Sequence, residues 1–154
     1  MPEDVLDTNI IARLLTDQPP EQSTEVALML ERARQAGVQF VVPALIVAEA
    51  VYVLTKTYER DRARVARALI AFFASGDARP DDPAVIPALA AFAEGADFPD
   101  AYIMALAHRR ECRVVSFDQR MGRAAHVVRP PDWQAPRGVR GRSSTIALSV
   151  GHSD

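Results

Sequence analysis

Asp7, Glu49, Asp100 and Asp118 occupy places where a surface carboxylate has little reason to be. On a helical pattern, the neighbours of Glu49 three and four positions away are Leu45, Ile46, Tyr52 and Val53, so its face reads as buried. A lone carboxylate there takes up a proton unless a cation or hydrogen-bond donors meet it. Asp7 follows the apolar pair Val5-Leu6 and opens a helical stretch, Asp118 follows the strand-like Arg113 to Phe117, and Asp100 follows Phe98-Pro99 at a helix start. Each has a structural alternative: Glu49 on an exposed helix face, Asp7 and Asp118 as N-caps, Asp100 as a first-turn charge favoured by the helix dipole. Thr8 or Asn9 could cap in place of Asp7, and Asp97 could cap ahead of Asp100. As a set, the four acids can converge on one edge of a sheet, where repulsion and desolvation raise their pKa values until a hard cation neutralises them. An all-oxygen set suits Mg²⁺ or Mn²⁺. Zinc is disfavoured, because the chain has one cysteine, Cys112, and three histidines, His108, His126 and His152.

The elements that must position these acids alternate along the chain. A strand at Val5-Leu6 runs into a helix from Ile10 to Leu15, and Pro19-Pro20 breaks it. A helix over 21–35 ends at Gly37, and Gln39 to Val42 reads as a second strand. Helices are expected over 43–58 and 61–74, then a turn-rich connection over 76–83. Asp82-Pro83 reads as a cap opening a helix to about residue 94, and another helix runs from about 99 to 109. Strands at 113–117 and 126–128 complete the pattern. Such alternation predicts an α/β domain with a short, mainly parallel sheet, in which ligands sit beyond the carboxyl ends of the strands. Asp7 and Asp118 both fall there.

The length of 154 residues suits one domain, expected over 1–133. From 134 to 154 the Arg, Gly, Ser and Pro content predicts a disordered tail, with Ile146 to Val150 as a short apolar stretch inside it. One cysteine permits no internal disulfide, and no apolar run approaches a bilayer span, so the expected location is the cytoplasm, away from membranes. A net charge of −2 gives no global attraction to a polyanion. The positive charge is nonetheless almost all arginine, gathered at Arg60 to Arg67 and Arg109 to Arg123, and its planar fork suits phosphate. Solvated helix faces would account for the same clusters.

Over about residues 3–133 the chain resembles PIN-domain nucleases, and among them the VapC-like toxins of bacterial toxin-antitoxin pairs. The marks are Val5-Leu6-Asp7-Thr8-Asn9, Pro43-Ala44-Leu45 leading to Glu49, Asp97-Phe98-Pro99-Asp100-Ala101 entering a helix with Ala105 and Ala107, and Val115-Ser116-Phe117-Asp118. Each is weak alone; their order and separation are fairly specific. The resemblance implies a three-layer α/β/α fold in which Asp7, Glu49, Asp100 and Asp118 hold one or two Mg²⁺ or Mn²⁺ ions, with Asp7 and Asp100 the most direct ligands. Thr8, Asn9 and Ser116 match polar positions that orient carboxylates or water. The implied reaction is endonucleolytic hydrolysis of RNA by metal-activated water, leaving a 5′-phosphate and a 3′-hydroxyl. Attack by a ribose 2′-hydroxyl would need paired imidazoles, which the three histidines do not offer. Arg13, Arg109, Arg110, Arg120 and Arg123 are expected to guide the RNA backbone, with unpaired RNA the favoured substrate. The resemblance also implies a homodimer and an antitoxin that blocks the site, for instance with a basic side chain.

Two other readings start from the same residues. A phosphatase with an aspartate nucleophile also opens on an acid at a strand end, but commonly has a second Asp two positions on, where this chain has Asn9, and no lysine completes the set. A PIN fold that binds RNA or protein without cutting is the other, and the intact quartet of acids argues against it.

Overall fold

The computed structural model describes residues 2–124 and 126–138, so the expected tail lies outside the described residues from 139 onward. The order is β1 (Glu3–Val5), α1 (Thr8–Thr16), α2 (Pro20–Ala36), β2 (Gln39–Val42), α3 (Ala44–Tyr52), α4 (Arg62–Ala74), β3 (Ala78–Pro80), α5 (Val85–Ala93), α6 (Phe98–Arg109), β4 (Val114–Val115) and β5 (Val127–Val128). Helices around short parallel strands make a three-layer α/β/α architecture. β2 lies between β1 and β3 in one parallel sheet, and β4 pairs with β5 in a second. Five residues in a wider helical turn, Val53–Thr57, continue α3, while single tight turns cover Met121–Arg123 and Pro130–Asp132.

The helix boundaries have local causes. Asp17 takes a left-handed conformation with φ of 54° and stops α1, Pro20 opens α2 at a position that needs no N–H, and Gly37 ends α2 with φ of 70°. The Asp61 carboxylate accepts a hydrogen bond from the Arg64 amide and starts α4. Between the layers, Ile11, Val42, Val47, Leu54, Leu69, Val85 and Leu89 are fully buried. Removing each from water contributes about 1.5–3 kcal/mol.

The connection over 76–83 was expected to be turns, and it contains β3. Ala78-Arg79-Pro80 is short and ends in proline, which the edge of a sheet tolerates because one side of the strand needs no ladder partner. Beyond it, the Asp81 carboxylate accepts a hydrogen bond from the Ala44 amide at 2.9 Å and so caps α3, which has no capping side chain of its own. Asp82 accepts one from the Ala84 amide at 2.8 Å, and the regular helix α5 begins after it, at Val85.

Candidate functional site

Asp7 is the N-cap residue of α1, with extended backbone, and its carbonyl accepts from the amides of Ile10 and Ile11. Its exposed carboxylate makes no capping hydrogen bond, so it is free for another role. The buried Thr8 beside it donates its hydroxyl to Glu49 Oε2 at 2.8 Å. This bond ties the start of α1 to α3 and fixes one oxygen of Glu49. Glu49 itself is exposed, contrary to expectation, as are Leu45 and Tyr52 on the same helix face. Of the apolar residues around Glu49, Leu45 and Tyr52 face outward while Ile46 and Val53 are half-buried, because the core-facing positions of α3 are Val47, Ala50 and Val51.

A second group forms where α6 begins and β4 ends. Asp97 caps α6 by accepting from the Asp100 amide at 3.3 Å, and Asp100 lies half-buried in the first turn. Ser116 Oγ accepts from the Asp118 amide at 2.9 Å and holds the loop after β4. Asp118 Oδ1 accepts from the Arg120 amide at 2.8 Å, a local turn ahead of Met121–Arg123 in which Arg120, not Asp118, is the N-cap residue; its side chain also meets the Arg120 guanidinium, with Nη2 to Oδ2 at 3.3 Å. The same Arg120 nitrogen lies 3.9 Å from Asp100 Oδ2. Burial, then repulsion from Asp97 and Asp118, holds the Asp100 carboxyl above the usual carboxylate range, with Arg120 pulling the other way. Asp118 is held below that range, first by its hydrogen bond to Arg120.

The two groups are joined through α3, which packs against both α1 and α6. Among the described residues, no three carboxylate, imidazole or thiol side chains close into a metal cage. The donor set still fits a hard divalent cation: it is all oxygen, Asp100 is repelled by two neighbouring carboxylates, and a cationic guanidinium already lies between Asp100 and Asp118.

A protein-family profile described as PIN domain matches residues 5–127. The chain belongs to the PIN-domain family. Members are generally nucleases, and the α/β/α fold with its short parallel sheet is in keeping with that. A search of curated proteins found no match.

The five arginines expected beside the acids of this PIN domain do not stay together. Arg120 and Arg123 line one hollow with Gln119. Arg13 donates to Gln22 at 2.7 Å, in a cleft between α1 and α2 that also contains Asn9. Arg109 and Arg110 are placed elsewhere: they pair with Asp82 at 3.1 and 3.5 Å, at the end of α6 about 14 Å along the helix from Asp100. Their partner Asp82 was read only as a cap. His108 is exposed, and His126 sits just before β5 with Nε2 buried and unpartnered among the described residues; His152 lies outside them. Sequence reasoning placed Arg62 in an arginine cluster suited to phosphate or to solvent and missed its structural role. Its Nη1 donates to the carbonyls of Phe92 at 3.0 Å and Ala96 at 2.7 Å, and its guanidinium lies 4.2 Å from the Phe92 ring centroid. Arg62 thus pins the turn that delivers Asp97 and Asp100. Nothing local in the sequence marks it, because both carbonyls lie some 30 residues away.

No helix among the described residues is long and apolar enough to cross a membrane.

Proposed function

We propose that this PIN domain is a Mg²⁺- or Mn²⁺-dependent endoribonuclease, with Asp7, Glu49, Asp100 and Asp118 as its metal-holding acids. The observation that carries the reading is the Arg120 guanidinium between Asp118 and Asp100, beside a carboxyl that burial and two like charges destabilise. Such a site favours cations, and a cation is what a phosphodiester needs beside it. A divalent ion there supplies Lewis acidity, which acidifies water and offsets charge building on the phosphate. Asp100 and Asp118 would hold it from the α6 side and Asp7 from the strand end, while Thr8 orients Glu49 and Ser116 steadies the Asp118 loop. Arg120 and Arg123 draw the RNA backbone toward a site that would otherwise repel it. Water attacks in place of the ribose 2′-hydroxyl, so the ends are a 5′-phosphate and a 3′-hydroxyl.

Within this reading the chain is the toxin of a toxin-antitoxin pair and acts in the cytoplasm as a homodimer. The support is the VapC-like motif order, the outward-facing Leu45 and Tyr52, and the access a guanidinium already has to the acids, which an inhibitor's arginine could share. The deciding experiment maps cleavage of total cellular RNA with and without Mg²⁺ or Mn²⁺, comparing the wild type with Asp7→Asn. Metal-dependent cuts bearing 5′-phosphates, absent from the variant, are expected. RNA left whole but bound would make the chain a non-cutting RNA-binding module.

A further inference from the structure

We propose that the cleft between α5, α6 and the 121–123 turn receives an unstacked nucleobase of single-stranded RNA, beside a phosphate held at Arg120; this rests on the nuclease reading above. The cleft is open to solvent and offers about 600 Å³, within the range of small-molecule sites. Its apolar lining includes Ala91, Ala101, Met104, Ala105 and Met121, and its polar side chains are Asp97, Asp100 and Arg120. An uncharged hollow therefore opens directly onto the carboxylate and guanidinium group.

An occupant that uses both the apolar lining and the Arg120 guanidinium carries an apolar body and an anionic group a short bridge apart. A nucleotide is built that way. With a phosphate at Arg120, its sugar spans the rim and its base reaches the floor. Alanines leave room for a ring, and the thioethers of Met104 and Met121 can mould to an aromatic face. A base inside a duplex cannot enter without leaving its stack, so an unpaired strand is preferred. Apart from Asp97, Asp100 and Arg120, no lining residue carries a polar side chain. The cleft therefore selects by ring size and fit more than by hydrogen-bonding pattern.

The test uses single-stranded oligouridylate and oligoadenylate hexamers, intact or with one abasic residue at each position in turn. Binding is followed by fluorescence anisotropy in an Asp7→Asn background, and cleavage is followed in parallel with otherwise wild-type protein. Ala105→Phe fills the cleft from α6, and Ala91→Leu fills it from α5, so one filled variant remains if the other fails to fold. Losing the base at one position should weaken binding about tenfold. Each filled variant should weaken binding comparably, and the abasic change should then add less than about twofold. Abasic hexamers that bind as well as intact ones, or effects that multiply, would overturn the proposal and leave the cleft to another occupant such as a peptide. Non-additive binding with no cleavage would keep the base cleft and remove the nuclease reading. Cleavage with multiplying effects would do the reverse.

Discussion

Asp100 carries two opposed demands: its first-turn position on α6 favours a negative charge, while burial and the carboxylates of Asp97 and Asp118 disfavour one. Because its pKa is raised in the fold, the native chain holds that proton more tightly than the unfolded chain. Stability therefore falls as pH rises from the ordinary carboxylate range through the raised value. Asp100→Asn removes the penalty. At pH 7 without metal the variant should melt about 1–3 °C higher, and below the carboxylate range, where Asp100 is protonated in either state, the two proteins should melt alike. Cleavage by Asp100→Asn should fall by at least about 100-fold. A lower melting temperature at pH 7 would mean that Asp100 is a structural charge. Asp118 has the opposite sign: Arg120 lowers its pKa, so its contribution is present above the ordinary range and is lost on acidification. Arg120 competes with any cation for these oxygens. Arg120→Ala should bind Mn²⁺ more tightly by calorimetry, yet bind RNA more weakly, with a salt dependence shallower by about one ion. Unchanged Mn²⁺ affinity would separate Arg120 from the metal-holding acids.

At the scale of elements, the site depends on how the start of α6 is delivered. Arg62 fastens the end of α5 and the turn before Asp97 through two carbonyls and the face of Phe92. Arg62→Met should cost about 2 kcal/mol, lower the melting temperature by about 4–8 °C, and raise the Mn²⁺ concentration needed for half-maximal cleavage. A fall in melting temperature with no change in that midpoint would confine Arg62 to stability. The helices were legible from apolar spacing and from proline and glycine boundaries, and so were β2 and the strand-end positions of Asp7 and Asp118. β3 was not, because three residues ending in proline resemble a turn until β2 is seen beside them. The role of Asp82 was equally hidden: its pairing with Arg109 and Arg110 joins residues 27 apart or more. The idle side chain of Asp7 could not be told from a cap, since an N-cap position is set by backbone geometry whether or not the carboxylate is used.

For the molecule as a whole, the misread face of α3 carries the largest consequence. An apolar stripe looks the same in sequence whether it meets the chain's own core or another surface. Here Leu45 is 79% and Tyr52 64% exposed, with Glu49 on the same helix face. Exposed apolar groups gathered beside polar ones mark contact surfaces. A two-fold axis across α3 would set the stripe against its own copy, burying both apolar side chains and walling one side of Glu49. Glu49 would then sit in a lower dielectric, where its hydrogen bond from Thr8 and any cation nearby act more strongly. Tyr52→Asp places a charge in that contact while leaving the α3 core positions Val47, Ala50 and Val51 untouched. In sedimentation velocity at micromolar concentration the wild type should run as a dimer and Tyr52→Asp as a monomer with unchanged helical content. The variant's cleavage should fall with dimer content and recover as protein concentration rises. A wild type that remains monomeric at about 100 µM would remove the two-fold contact and leave the α3 stripe to a different partner.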